Sequence, residues 1–139
     1  MNINLQDNNS PLRLRRWQTN AKSLCINWYN SGKTPEHRIF LANAAPGAGK
    51  TIFASVVALE MLKNKMVDRV VVIAPREEVV SQWAKEYTSI TNRSMTKVTG
   101  TDCDIDGYGL DLCVTWNSVE TLKDSFQKVC KKQPTFLIC

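Results

Sequence analysis

The chain has 139 residues, with 43% hydrophobic and 22% charged side chains and a formal net charge of +5. That is one domain's length with enough apolar content for a core; it argues against a disordered or fibrous chain, and no apolar run approaches the roughly 18 residues of a membrane span. The charge is uneven: residues 1–50 carry seven basic and two acidic side chains, whereas residues 101–139 carry four and six, an imbalance compatible with a polyanionic partner but not requiring one.

Residues 1–11 are polar, lack the basic and apolar regions of an export signal, and are expected to form a flexible N-terminus ahead of a domain over 12–139. Trp17, Ala21, Leu24, Cys25, Trp28 and Tyr29 fall on one face of a helix over 17–30. Gly32 stands where a left-handed residue ends helices. The apolar run Arg38–Ala44, between Pro35 and Pro46, reads as a strand, and Ile52, Val56, Leu59 and Leu62 place a helix over 51–63. Arg69–Ala74 is continuous and β-branched, the pattern of a strand covered on both faces in a parallel sheet. A helix over 77–88 follows, with Glu77 and Glu78 at the positive end of its dipole.

The second half continues the alternation. A weak strand is expected over 95–99 and a better one over 110–116. Asn117 with Glu120 resembles a capping box opening one helix through Val119, Leu122, Phe126 and Val129. Thr135–Cys139 reads as a buried-type strand. Strand–helix units in this order predict an α/β fold with a mainly parallel sheet between two layers of helices. The five cysteines are scattered, odd in number and accompanied by a single histidine, so free thiols in the cytoplasm or another intracellular reducing compartment are expected, not zinc ligands.

The chemistry concentrates in Ala44-Ala-Pro-Gly-Ala-Gly-Lys-Thr51, after a predicted strand and opening a predicted helix. Gly47 and Gly49 let successive backbone N–H groups turn toward phosphate oxygens, with Pro46 and Ala48 completing the loop, and the helix start adds its partial positive charge. Lys50 would reach the β- and γ-phosphates and Thr51 would ligate Mg2+ through its hydroxyl. This is the pattern of a P-loop, with Ala44 where its first glycine usually stands, and it predicts ATP–Mg2+ as ligand.

Together with Leu14-Arg-Arg-Trp-Gln18 upstream, the loop resembles the N-terminal RecA-like domain of superfamily 2 helicases of the DEAD/DEAH type. The resemblance runs from Leu12 to Cys139 and implies a three-layer P-loop NTPase fold. It implies that Gln18 reads the adenine edge, since an amide offers both a donor and an acceptor. Ala74-Pro-Arg76 and the following helix look like the family's motif Ia, which makes Arg76 a contact to a nucleic-acid phosphate; Thr115-Trp-Asn-Ser118 looks like a later motif that makes Thr115 and Ser118 further phosphate seats. DNA and RNA are equally compatible with contacts to phosphates. No membrane partner is implied.

One feature resembles a calcium loop and one departs from the family. Asp102-x-Asp104-x-Asp106-Gly107 has half the calcium pattern, but Cys113 stands where a bidentate Glu is needed, so a solvated turn is expected. The family's D-E-x-[HD] carboxylates and S-A-T motif do not occur after Thr135–Cys139, so no catalytic residue is assigned and the sheet is expected to be incomplete, with a gap beside a central strand. On this reading the chain is a fragment of an ATP-dependent helicase or translocase that binds ATP–Mg2+ without hydrolysing it, relies on a second RecA-like domain, and exposes edges prone to aggregation. A small P-loop kinase and a non-catalytic nucleotide or anion module are the competing readings.

Overall fold

A computed structural model describes residues 12–98, 105 and 109–139. The expected flexible N-terminus, Cys103 and the acidic residues of the Asp102–Gly107 turn lie outside them. The elements follow in the order α1 (Arg16–Ser31), a 3-10 turn (Pro35–Arg38), α2 (Lys50–Lys63), β1 (Arg69–Ala74), α3 (Glu77–Thr91), β2 (Thr96–Lys97), β3 (Leu112–Thr115), α4 (Trp116–Thr121), α5 (Lys123–Lys132) and β4 (Thr135–Ile138). The four strands form one sheet in the order β2-β3-β1-β4, with every pairing parallel. The expected α/β architecture with a parallel sheet is therefore what the chain adopts.

β1 organises the core because all six of its residues are buried and its side chains alternate between two faces. Val71 and Ile73 join Leu112, Val114, Leu122, Phe126 and Val129 under α4 and α5. Val70, Val72 and Ala74 turn to the other face, where they meet Val80, Tyr87, Cys113 and Ala58 from α3, β3 and α2. A third cluster packs α1 on α2, through Cys25, Phe53, Val57 and Met61. Helices thus cover both faces, the arrangement that a doubly buried β-branched strand requires.

Four local expectations are corrected. Gly32 does not close α1 in a left-handed conformation: its φ is −129°, and its lack of a side chain serves the His37 ring, which a Cβ would overlap. Residues 38–44 form no ladder with the sheet. They begin in the 3-10 turn and run beside β4 across a cleft; Phe40 and Ala42 pack against the α1–α2 cluster, but the backbone has no strand partner. Asn117 does not cap a helix; Thr115 does, through its side-chain oxygen, and Leu122 at φ −101° divides the expected helix into α4 and α5. β4 is only half-buried, because β1 pairs with it on one side and the cleft lies on the other.

That cleft, about 210 Å3, is lined by Phe40, Leu41 and Ala42 on one bank and by Phe136, Leu137 and Ile138 on the other, with Lys50 at one end. Ile39, Leu41 and Leu137 are 73%, 89% and 52% exposed. The four strands pair without interruption, so the expected gap beside a central strand is not found; the open space lies outside the edge strand β4, between it and the segment leading to the P-loop.

The opposite side of β1 is closed by a polar lock. Asp111, buried at the start of β3, accepts from the Arg93 guanidinium at 2.7 and 3.1 Å, from Tyr87 Oη at 2.7 Å and from the backbone N–H of Val70 at 3.3 Å. One carboxylate so ties β3, β1 and the C-terminal end of α3. Burial, followed by the Asp111 carboxylate, pushes the Tyr87 hydroxyl well above its ordinary range, and the same carboxylate holds the Arg93 guanidinium more firmly protonated.

Candidate functional site

The P-loop begins with a tight turn. Ala48 N–H donates to Ala45 O at 3.1 Å across Pro46 and Gly47, and Gly47 has φ +74°, the sign that the third position of a type II turn requires. Gly49 follows at φ +90° as the N-cap of α2 and supplies no side-chain cap. A Cβ at Gly49 would stand 2.6 Å from Gln18 Nε2, so this position needs glycine for both its backbone and its space. Its carbonyl accepts the first intrahelical bond, from Phe53 N–H at 3.1 Å. The N–H groups of Lys50, Thr51 and Ile52 precede that bond, and the uncapped start leaves them for an anion.

The Lys50 side chain is exposed and Thr51 is half-buried; among the described residues neither side chain makes an ion pair or a hydrogen bond. A triphosphate and a divalent cation suit this donor set: two glycines with positive φ, an open helix N-terminus, one ammonium and one hydroxyl next to it. Lys50 and Thr51 are the residues that would hold them.

Gln18 lies against the loop, as its predicted role requires, but only 2% exposed. Its Oε1 accepts from Arg15 N–H at 2.7 Å, and its Nε2 donates to Gly49 O at 2.9 Å. One amide hydrogen and one oxygen lone pair remain uncommitted, which is the complement of an adenine edge. Two neighbours that sequence reasoning had not assigned a role also reach the loop. Trp17 Nε1 donates to Ala48 O at 3.1 Å, and Arg15 Nη1 donates to Gly47 O at 3.2 Å. These partners stand 31 and 32 residues apart in the chain, and no local periodicity announces them.

The predicted nucleic-acid residues sit at the carboxyl ends of β1 and β3, where Ala74 is in register with Thr115. Arg76 is the exposed N-cap of α3; among the described residues the one ion pair joins Arg93 to Asp111, so neither Glu77 nor Glu78 neutralises it. Thr115 is buried and works as a cap: its Oγ1 accepts from Ser118 N–H at 3.3 Å and donates to Ser118 Oγ at 3.2 Å. Ser118 is half-buried and keeps its own proton to donate. The structure therefore brings Gln18 to the P-loop and sets Arg76, Thr115 and Ser118 on neighbouring strand ends, the edge where parallel sheets bind ligands.

Residues 11–135 match the family described as the type III restriction enzyme, res subunit. Among curated proteins, an uncharacterized protein of Mycobacterium tuberculosis is 42% identical over 71 residues, covering 51% of this chain and 11% of that protein. An uncharacterized protein of Mycobacterium leprae is 39% identical over 72 residues, covering 52% of this chain and again 11% of the relative. Among solved structures, a nuclease-deletion mutant of the Type ISP restriction-modification enzyme LlaGI, in complex with a DNA substrate mimic, superposes with a TM-score of 0.62 at 16% identity, over 84% of this chain and 14% of that one. The likeness at that identity is one of fold, and the chain spans about a tenth of the relatives' length.

Proposed function

Because the chain belongs to the type III restriction enzyme, res subunit family, with the N-terminal RecA-like fold of superfamily 2 helicases, we propose that it is the nucleotide-binding lobe of an ATP-driven nucleic-acid helicase or translocase. The observation that carries this reading is the P-loop geometry: two positive-φ glycines and an uncapped helix start, with Lys50 and Thr51 directly beyond. In the loop from Pro46 to Gly49, the backbone N–H groups of Gly49 and Lys50 would cradle the phosphates, the Lys50 ammonium would neutralise them, and Thr51 would ligate Mg2+. Gln18 selects adenine through its uncommitted donor and acceptor. Arg76 and Ser118 seat the phosphates of a strand, with Thr115 holding Ser118 in place.

A nucleic acid is further supported by the family, and DNA in particular by the substrate mimic bound to the structural neighbour. On this reading a second RecA-like domain closes over the nucleotide during turnover.

The test is equilibrium binding of a fluorescent ATP analogue with Mg2+. Lys50→Ala is expected to weaken binding at least tenfold. Gln18→Ala is expected to erase the preference for ATP over GTP. Equal affinity for ATP and inorganic tripolyphosphate would favour a simple anion module, and unchanged binding by Lys50→Ala would overturn the reading.

A further inference from the structure

We propose that Arg15 and Trp17 are positioning residues that shape the phosphate seat from outside it, an inference that rests on the nucleotide reading above. Three consecutive carbonyls of the P-loop, those of Gly47, Ala48 and Gly49, each accept a hydrogen bond from the first turn of α1: from Arg15 Nη1, Trp17 Nε1 and Gln18 Nε2. No peptide bond in the described chain is cis, and in a planar trans peptide the N–H points opposite to the C=O it shares a plane with. Fixing those three carbonyls toward α1 therefore turns the N–H groups of Ala48, Gly49 and Lys50 away from it.

The first of these closes the Ala45–Ala48 turn. The other two, from Gly49 and Lys50, have no carbonyl partner among the described residues and face the side where the phosphates would lie. The glycines alone do not produce this outcome. At φ +74° and +90° Gly47 and Gly49 have broad freedom, and a glycine-rich loop free of restraint samples peptide orientations that put carbonyl oxygens, not N–H groups, toward an anion. The α1 side chains, together with the Phe53 N–H that also holds the Gly49 carbonyl, remove that freedom before a ligand arrives, so the ordering cost is met in folding and not in binding.

Trp17 is suited to the task because its ring also packs on Phe53 of α2, with centroids 5.5 Å apart, so the donor is anchored on the helix that the loop opens. Gln18 contributes the third bond but is also the proposed base reader. Arg15 and Trp17 therefore isolate the positioning role.

The experiment measures Kd for ATP–Mg2+ and for tripolyphosphate–Mg2+ in the protein and in Trp17→Phe, Arg15→Met, Arg15→Lys and Lys50→Ala. Phenylalanine keeps an aromatic ring at the Phe53 contact while removing the indole N–H and part of the ring volume; methionine keeps the stem and deletes the guanidinium. Trp17→Phe is expected to weaken both ligands equally, by about threefold to tenfold, as loss of one orienting hydrogen bond does. Arg15→Met is expected to weaken both by about threefold, since its bond is exposed, with Arg15→Lys restoring part of the loss. Without ligand, the Gly49 amide resonance should shift in Trp17→Phe and the Ala48 amide resonance in Arg15→Met.

Lys50-dependent binding that Trp17→Phe and Arg15→Met leave unchanged would overturn the positioning role, even if those variants melt at lower temperature. Loss of ATP binding with tripolyphosphate binding retained would also overturn it. Binding that does not depend on Lys50 would instead remove the nucleotide reading on which it rests. Should Trp17→Phe fail to fold, the Arg15 pair, on an exposed side chain, decides alone.

Discussion

The two sides of β1 are built to different standards. Toward β3 the strands are fully buried and the Asp111 carboxylate cross-links three elements, whereas toward β4 the sheet ends at a half-buried strand facing a cleft with Leu41 and Leu137 in solvent. The P-loop hangs on the weaker side, since its lead-in segment forms the far bank of that cleft. Order at the phosphate seat therefore cannot come from the sheet alone. It comes from α1, whose first turn grips the loop and whose body packs on α2.

Breaking the polar lock on the strong side should produce one of the two largest effects. Asp111→Ala would leave the Tyr87 hydroxyl and the Val70 N–H buried without their acceptor and release Arg93, whose side chain is 34% exposed and so loses less. A loss of about 3 kcal/mol is expected, near the lower end for breaking a buried ion pair because of that exposure. Urea unfolding measures it; a loss under about 1 kcal/mol would mean that the lock is not what secures β3.

A matched pair of truncations sharpens the contrast. Leu112→Ala removes a fully buried side chain between β1 and α5 and should cost roughly 2–5 kcal/mol by creating a cavity. Leu137→Ala, half-exposed on the cleft bank, should cost under about 1 kcal/mol and reduce self-association, because it takes away apolar edge surface. Equal costs in a thermal melt would show that the cleft is closed in solution.

The sequence made the strong side legible and the weak side misleading. Six consecutive apolar or stem-buried residues from Arg69 to Ala74 have one physical solution, a strand covered on both faces, and that is what forms. Phe40 and Leu41 are apolar too, but a strand also needs a partner at hydrogen-bonding distance, and a run of residues cannot say whether one is adjacent. Helix starts erred for a related reason: Asn117 satisfies a capping pattern, yet Thr115 lies where β3 ends, and tertiary placement chose between them. At the candidate site, Gly47, Gly49, Lys50 and Thr51 could be singled out because a phosphate imposes residue types and spacing, and Gln18 because its surroundings resemble the family's upstream motif. Arg15 and Trp17 were not, because their partners are carbonyls, which every residue has.

The smallest effect probes the same contrast through thiols. Cys113 lies in β3 with no exposed surface, and burial pushes its thiol up to about 12; Cys25, in the α1–α2 cluster, is pushed up to about 11. Cys139, across the sheet beside the cleft, is exposed, though partial burial raises its thiol too. Iodoacetamide at pH 8 should therefore alkylate Cys139 and exposed Cys130 quickly and spare Cys25 and Cys113, because the reactive species is an accessible thiolate. Stability should follow the same groups. A thiol whose folded pKa exceeds its ordinary 9.0 favours the native state fully below pH 9, and that contribution is lost as the pH rises toward 11 and 12. A melting temperature that falls between pH 9 and 11, and falls less in Cys113→Ala than in the unaltered chain, is the expected result. Rapid labelling of Cys113 at pH 8 would place an opening in the strong side of the sheet and reverse the comparison.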